Sequence, residues 1–427
     1  MEAHELLDRL NEGALDTRIE SIYALTGVDQ EPVRVRLGGL VSRFAEEFPG
    51  LPAALFTAAG RTEMGGNHTD HQRGQVLAGS VSLDMIACGG PNGSDEIVVH
   101  SEGYPEFTVS LSGLEPDPAD YGTSASLVRG VARALIDRGY ELGGVSICVA
   151  SNVPGGSGLS SSAAYEILIG VVLNHLFCGD ELTPVELAQI GQYAENVFFG
   201  KPSGLMDQMA CSVGGVVHID FADPQAPLLT QVEVDLAAAG YALCIIDSGA
   251  DHADLTDEYA AITQEMGAVA ACFGVEYLSQ VDPDEFWSRI REVRQQTGDR
   301  AVLRAIHFFD DDARVPQQAA MLAEGRFDEF LNLVTASGIS SATHLQNLYA
   351  ASHPEQQAVG LTIALAKRLL DGRGAVRVHG GGFAGTVQAY VPLEMTDDFT
   401  AGIDAVLGDG ACHVLSIRPV GGGVIAG

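Results

Sequence analysis

The feature that most constrains the fold is a glycine-rich loop placed between a strand and a helix. Residues 145–151 read VSICVAS, an apolar run that predicts a buried strand, and the apolar stretch 162–178 predicts a helix. The loop 152–158 between them contains three glycines. Glycines let neighbouring amides point the same way, and a helix N-terminus adds free N–H groups and a positive dipole end. This unit can bind an anion without a lysine. An ordinary glycine turn followed by a serine-capped helix would explain the same sequence pattern.

The charge of the chain limits its partners. The net charge is −34, from 57 acidic and 23 basic residues, and just two of the basic residues, Lys201 and Lys367, are lysines. Such a surface repels phosphate backbones, so we expect neither a nucleic-acid nor an anionic-membrane partner. Phosphates would have to be held by backbone amides and a metal. A Walker-type P-loop is excluded, because Gly200-Lys201 is followed by Pro202.

Length and pattern indicate two domains of mixed class. A chain of 427 residues is too long for one ordinary core, and its strands and helices do not alternate regularly. We therefore predict an α+β fold. The seven scattered cysteines form no C-x-x-C pair and predict buried free thiols. The N-terminus lacks an apolar signal region, and the apolar stretch 167–178 is shorter than the roughly 20 residues of a membrane span. We expect a soluble, cytoplasmic protein.

Local patterns predict the elements along the chain. Residues 1–48 predict two or three short amphipathic helices, and strands are predicted from residues 55, 75 and 96 onward. Thr183, Pro184 and Glu186 form a capping box at the start of another helix. Residues 241–247 predict a strand, and the chain closes with strands around 375–379, 386–391 and 413–419. The remaining predicted helices span 122–139, 257–273, 283–296, 314–324, 326–336, 341–351 and 353–370.

A second informative segment is the polar stretch 60–71, GRTEMGGNHTDH. Arginine, asparagine, histidine and aspartate among glycines suit hydrogen bonding to a polyol, because sugars need both donors and acceptors. A metal site at His68, Asp70 and His71 is an alternative, although the spacing fits no standard zinc pattern. A solvated polar loop is the third explanation.

Two further segments complete the set. Glu195 and Asp207 lie among apolar neighbours, which indicates a metal ligand and a base, or else two ordinary ion-paired residues. Residues 377–386, RVHGGGFAGT, contain G-x-G-x-x-G but run into a strand near the C-terminus. A dinucleotide fingerprint opens a helix instead. We therefore predict a tight turn that brings main chain from another domain close to a ligand or a second segment.

In this order the segments resemble the superfamily of galactokinase, homoserine kinase, mevalonate kinase and phosphomevalonate kinase, the GHMP kinases. The three motifs of that superfamily correspond to residues 60–74, 152–164 and 377–386. The resemblance is closest to galactokinase, through G-R-x-x-x-x-G-x-H-T-D at 60–70 and G-L-M-D-Q at 204–208. It implies a two-domain GHMP-kinase-like α+β fold with the active site in the inter-domain cleft. The implied division is a helical extension at 1–34 and domains at 35–225 and 226–427.

The resemblance also implies an ATP-dependent sugar-1-kinase that converts galactose to α-D-galactose 1-phosphate. Asp207 would accept the anomeric proton or hold the hydroxyl electrostatically, with Arg61 beside it. The residues implied to contact the sugar are Asn67, His68, Asp70, Ser203, Gly204 and Tyr259. The residues implied to wrap the ATP phosphates are Gly155, Gly156, Ser157, Gly158, Leu159, Ser160 and Ser161. Ser162 and Glu195 would hold Mg²⁺.

Three positions depart from the family pattern. Asn67 replaces a glutamate, Ser203 replaces a cysteine, and Asp251 precedes His252 where an arginine is common. N-acetylgalactosamine or another sugar therefore stays open as the substrate, and so does a non-catalytic galactose and ATP sensor. The intact serine run 160–162 and Asp207 favour an enzyme. The oligomeric state is open, with a monomer expected.

Overall fold

The computed structural model describes residues 1–24, 30–155, 158–250 and 255–427. The helices are α1 (Ala3–Asn11), α2 (Asp16–Tyr23), α3 (Glu31–Glu47), α4 (Ser124–Asp137), α5 (Ser161–Phe177), α6 (Pro184–Tyr193), α7 (Met206–Val213), α8 (Thr256–Ala271), α9 (Pro283–Thr297), α10 (Asp299–Ala323), α11 (Phe327–Ser340), α12 (Ala358–Leu370) and α13 (Thr396–Leu407). The strands are β1 (Ala54–Gly65), β2 (Gln75–Pro91), β3 (Glu96–Ser101), β4 (Phe107–Ser110), β5 (Val145–Ser151), β6 (Val216–Asp220), β7 (Leu228–Val232), β8 (Tyr241–Asp247), β9 (Ala375–Val378), β10 (Thr386–Pro392), β11 (Cys412–Leu415) and β12 (Gly422–Ala426).

The larger sheet follows the order β12-β1-β2-β5-β3-β4, with β6 paired to one end of β2 and β7 paired to β6. The 17-residue β2 holds it together, because residues 75–79 pair with β6 and residues 85–91 pair with β5. The C-terminal β12 pairs antiparallel with β1. Both β7 and β12 belong to residues 226–427, the predicted second domain, yet they pair within this sheet. The domain boundaries at 34 and 225 stay a prediction.

Helices cover both faces of the larger sheet. Leu55 and Ile86 pack against α1–α3, whereas Phe56 and Ala87, one residue later in each strand, pack in the core with α4–α7. Successive side chains of a strand point to opposite faces, so a sheet covered twice needs apolar residues at every position. The same reasoning explains α5, which is apolar all round because it lies between the sheet and α4, α6 and α7.

The smaller sheet is antiparallel in the order β11-β8-β10-β9. Its outer face packs on α12 and α13, through Val359 and Phe399. Its inner face, with Tyr390, packs on Phe330 of α11 within the same core as the larger sheet. The 25-residue α10 runs beside α11 and also contacts β1 and β2. The two layers are therefore joined by a common core.

Most predicted elements are confirmed, and errors occur in both halves of the chain. The capping box at Thr183 and the helix after the glycine loop are confirmed. The helix predicted at 314–324 is the second half of α10, which begins at Asp299 and continues through Pro316. The first half was missed because it buries polar residues and so lacks a clear apolar period. The helix predicted at 341–351 ends at Leu345, since Gln346 takes a left-handed conformation with φ of 60°. Helices α7 and α13 and strands β4, β6, β7 and β12 were not predicted.

The structure also bears on the expectations about the cysteines and about membrane-spanning helices. All seven cysteines are free thiols, and six of them are buried. Of the helices described, none is both long enough and apolar enough to cross a bilayer.

Candidate active site

The site is centred on Asp207, in the first turn of α7, where the helix dipole favours a carboxylate. Arg61 of β1 binds it with two bonds, from Nε to Oδ1 and from Nη2 to Oδ2, each 2.7 Å long. Ser160, at the end of the glycine loop, donates from Oγ to Oδ2 at 2.6 Å. The structure therefore brings the sugar motif, the phosphate loop and the predicted catalytic segment to one carboxylate.

This environment keeps Asp207 ionised. Burial by itself would raise its pKa, but Arg61 and the Ser160 hydroxyl lower the pKa of Asp207 to about 2. The Asp207 side chain is 25% exposed, compared with 7% for Arg61, so part of the Asp207 side chain is accessible from outside. A charged hydrogen-bond acceptor that is firmly held and partly open can orient a substrate hydroxyl.

The loop before α5 is fastened to β1 at two points. Arg61 donates from Nη1 to the carbonyl of Gly158 and from its backbone amide to Leu159 O at 3.0 Å. Gly158 has φ of 67°, and a Cβ there would lie 2.5 Å from Oγ1 of Thr386, so the position needs glycine. Ser160 is also left-handed, with φ of 59°, and it leads directly into Ser161 of α5. Of the predicted phosphate-binding residues, Gly156 and Ser157 lie outside the described residues, and Gly155 is the last described residue before them.

Glu195 is the second carboxylate of the site, in a π-helical segment at Ala194–Phe199. It is 1% exposed. Its Oε1 accepts hydrogen bonds from Ser162 Oγ and Lys201 Nζ, both at 3.0 Å. Its Oε2 accepts from Gln208 Nε2 at 2.8 Å, and the same amide donates to Glu166 at 3.0 Å. Glu195 and Asp207 are thus coupled through the residue that follows Asp207.

Ser162 and Glu195 fit a magnesium ion. Mg²⁺ prefers hard oxygen ligands and is usually held by one or two protein carboxylates together with substrate phosphates. No cluster of three or more histidine, cysteine or acidic ligands occurs among the described residues. The ammonium of Lys201 already lies against Glu195 Oε1, so this oxygen can receive a cation from the cleft.

The sugar motif is a buried turn at the end of β1, so the solvated-loop explanation is wrong. His68, with φ of 62°, donates from Nε2 to Gly381 O at 2.9 Å, and burial lowers its pKa to about 3, so the ring is neutral. Asp70 accepts from the backbone amide of His71 at 2.9 Å. A Cβ at Gly204 would lie 1.9 Å from Asp70 Oδ2. The absence of that Cβ lets Asp70 approach the segment that carries Asp207.

Asn67, another predicted sugar contact, is buried and bound to other parts of the protein. Its fully buried side chain donates to Gly380 O at 2.6 Å and accepts from Asn347 Nδ2 at 2.9 Å. The neighbouring Glu63 is equally buried and is paired with Arg377 of β9. Asn67 therefore ties the motif to the glycine turn at 380–382, and its contact with the sugar stays a prediction.

The other predicted sugar contacts, Ser203 and Tyr259, have hydrogen-bond partners within the protein. Ser203 donates from Oγ to Asn196 Oδ1 at 3.2 Å. Tyr259 of α8 donates from its hydroxyl to Gly382 O at 2.8 Å and packs edge-on against Phe383. The glycine turn is confirmed as a close main-chain approach, because a Cβ at Gly382 would lie 2.2 Å from the carbonyl of residue 347. The departure at Asp251 and His252 lies outside the described residues.

Sequence reasoning missed three residues of the site. Gln208 donates to both Glu195 and Glu166, and Lys201 donates to Glu195, the proposed metal ligand. His379 accepts from the Glu63 amide at 3.2 Å through Nε2, so its Nδ1 donates to Thr386 Oγ1 at 2.9 Å. The rarity of lysine was a usable signal for Lys201. No local pattern singled out His379 or Gln208.

Comparison with known proteins agrees with this geometry. The model of the GHMP kinases N terminal domain matches residues 126–215, and the galactokinase galactose-binding signature matches residues 42–91. A galactokinase from Streptomyces coelicolor is 30% identical over 369 residues, which cover 86% of this chain and 90% of that protein.

Solved structures show the same fold. The crystal structure of Lactococcus lactis galactokinase complexed with galactose has a TM-score of 0.77 at 24% identity, covering 91% of this chain and 99% of that chain. The crystal structure of L. major mevalonate kinase in complex with R-mevalonate has a TM-score of 0.58 at 13% identity, covering 85% and 95%. The chain therefore has the two-domain α+β fold of these kinases, and it belongs to the galactokinase family of the GHMP kinases, which are ATP-dependent phosphotransferases.

Proposed function

We propose that this chain transfers the γ-phosphoryl group of Mg·ATP to the anomeric hydroxyl of D-galactose, giving ADP and α-D-galactose 1-phosphate. The observation that carries the proposal is the position of Asp207 where the sugar motif and the phosphate loop meet. Arg61 and Ser160 donate to it from those two segments. Gly204, three residues before it, lies against Asp70 of the sugar motif.

Asp207 acts first as an oriented acceptor for the anomeric hydroxyl. A carboxylate with a pKa of about 2 is a weak base, and general-base efficiency is greatest when the pKa lies near the working pH. Phosphoryl transfer through a loose transition state asks little of a base and much of positioning. The hydroxyl proton then passes to Asp207 late, as the new O–P bond forms. Arg61 keeps the carboxylate ionised and offers positive charge beside the transferred group.

The phosphates are assigned to the loop and the N-terminus of α5, with its free amides and positive dipole end. Described loop residues in this role are Gly155, Gly158, Leu159, Ser160 and Ser161. Ser162 and Glu195 would hold Mg²⁺, which neutralises charge on the phosphate oxygens when bound. Held by Gln208 and almost fully buried, Glu195 is already oriented for that role.

The sugar is assigned to the cleft beside Asp207, with Asp70, neutral His68 and the backbone of Gly204 as polar partners and Tyr259 as a wall. Ser203 also borders this cleft, and its hydroxyl is tethered to Asn196. A serine is smaller here than the family's cysteine, so N-acetylgalactosamine is the alternative substrate. The complete set of Asp207, Arg61, Ser162 and Glu195 favours an enzyme over a sensor. We further propose a cytoplasmic monomer.

The test is an ADP-release assay with Mg·ATP against galactose, N-acetylgalactosamine, glucose and arabinose, with the product identified by phosphorus NMR. We expect galactose to give by far the highest kcat/KM and an α-1-phosphate. A preference for N-acetylgalactosamine would move the assignment to the alternative sugar. The absence of turnover with every sugar, together with a rise in Tm on adding galactose and ATP, would support the sensor.

A further inference from the structure

The position of Lys201 is not explained by the family motifs. It is one of two lysines in a chain of net charge −34, and its side chain is 58% exposed at the edge of the site. Its Nζ lies 3.0 Å from Glu195 Oε1, the same oxygen that accepts the Ser162 hydroxyl at 3.0 Å. An ammonium therefore lies on the oxygen proposed to bind the metal.

This ion pair differs from an ordinary surface pair. Exposed pairs between two mobile side chains contribute little, because both partners lose freedom in high dielectric. Here Glu195 is buried and fixed by Gln208, whereas the lysine stem is largely exposed. The backbone is set as well, since the amide of Lys201 donates to Glu195 O at 3.1 Å after a left-handed turn at Gly200. One partner is rigid, and the other is free to move.

The lysine and a metal ion compete for the same place. A magnesium–oxygen bond is about 2.1 Å long. A divalent ion at Oε1 would repel an ammonium bound to the same oxygen, so the two cations disfavour each other there. We therefore expect Lys201 to leave that oxygen when the metal binds. The phosphates of ATP would then be the largest negative charge within reach of its exposed stem.

We propose that Lys201 holds Glu195 in the free enzyme and moves onto the phosphate oxygens of ATP when Mg²⁺ takes Glu195 Oε1. This inference rests on the proposed function. A lysine is a common point-charge partner of phosphate. It supplies a mobile cation where the surface as a whole is strongly acidic. Lys201 is thus a nucleotide-contacting residue in the loaded enzyme and a place-holder for the metal in the free enzyme.

The test uses the full-length variants K201M, K201R and, as a matched control, K367M on the exposed surface of α12. Electron paramagnetic resonance measures Mn²⁺ binding without nucleotide, and calorimetry measures Mg·AMP-PNP binding. For K201M we expect tighter Mn²⁺ binding, because the competing ammonium is gone. We also expect Mg·AMP-PNP binding about tenfold weaker, the equivalent of about 1.4 kcal/mol. K201R should recover part of the nucleotide affinity, and K367M should behave as wild type.

Other outcomes overturn the inference in distinguishable ways. Unchanged affinities in K201M would reduce Lys201 to a surface ion pair. Weaker Mn²⁺ binding in K201M would make it a structural support of Glu195. Failure of the wild-type protein itself to bind Mg·AMP-PNP would overturn the proposed function, and with it the phosphate contact, before any variant is compared.

Discussion

Asp207 and Asp84 are both aspartates bound by arginine near the phosphate loop, and they differ in how much of each side chain is exposed. Asp84 of β2 is fully buried, and its two oxygens accept from four side chains: Tyr23 at 2.6 Å, Thr57 at 2.6 Å, Arg418 at 2.8 Å, and Arg36. Its backbone amide also donates to Asn152, the first residue of the loop, at 2.6 Å. Asp207 has two side-chain partners and a quarter of its surface exposed.

The difference shows that an arginine–aspartate pair can either stabilise the fold or hold a carboxylate ready for substrate. Arginine lowers the pKa of both carboxylates although burial acts against it. At Asp84 every partner belongs to the protein, and the bonds join α2, α3, β1 and the C-terminal segment. At Asp207 an open side remains for substrate. We therefore expect Asp84 to determine stability and Asp207 to determine turnover.

The largest effect should come from D207N. The amide keeps the size of the side chain but loses the charge that orients the hydroxyl and accepts its proton. We expect kcat to fall by about 10²–10⁴, the range for loss of a positioned acid–base group. Steady-state kinetics measures the change, and circular dichroism checks that the fold persists. Turnover close to wild type would remove Asp207 from the mechanism.

The reciprocal variant is D84N. It leaves Arg36 and Arg418 beside a neutral group, and breaking a buried ion pair from one side costs about 3–5 kcal/mol. We expect that loss in the free energy of unfolding, measured with urea, and kcat per folded molecule close to wild type. A folded, stable D84N enzyme with low kcat would contradict the division of roles and make Asp84 a support of the loop through Asn152.

The pH profile of R61M sharpens the comparison. In the wild type the pKa of Asp207 is depressed to about 2, so its stabilising charge is present above the unfolded value and is lost only as pH falls through the folded value. Removal of Arg61 leaves the effect of burial opposed mainly by the Ser160 hydroxyl, so the pKa of Asp207 should rise. We expect the acid limb of kcat/KM to rise to about pH 4 or higher, near the ordinary aspartate pKa. An acid limb in the same place as in the wild type would assign the limb to another group.

The smallest effects should come from a matched pair, Y23F and S160A. Each removes one hydroxyl that donates at 2.6 Å, to Asp84 and to Asp207 respectively. A hydrogen bond to a charged group contributes about 1.5–3 kcal/mol. We expect Y23F to lower the free energy of unfolding with kcat unchanged, and S160A to lower kcat with a smaller effect on stability. Urea unfolding and steady-state kinetics on both variants give the result, and the opposite pattern would contradict the assignment.

The sequence was most informative where chemistry and local backbone rules coincide. The strand, glycine loop and apolar helix at 145–178 were predictable because each segment imposes its own conformation. The capping box at Thr183 and the turn at 380–382 follow from the same local rules. The family resemblance is confirmed by comparison with known proteins, while the roles of individual site residues stay proposals.

Long-range contacts limit how much of the fold and of the site can be predicted from the sequence. The first half of α10 lacks a clear apolar period because its buried polar residues serve distant partners: His307 donates to Asn67 O and Asp311 accepts from the Asn67 amide, both at 2.9 Å. Asn67 reads as a sugar ligand in the sequence, yet its neighbours in space are Gly380 and Asn347. No local pattern contains those distances.

The sequence by itself determined the segments, their order and the kind of chemistry, because glycine conformation, helix capping and apolar period depend on near neighbours along the chain. The tertiary structure decided which polar side chains face the cleft and which serve the fold. That choice depends on burial and on partners hundreds of residues away. It leaves Asp207 open, covers Asp84 and turns Asn67 inward.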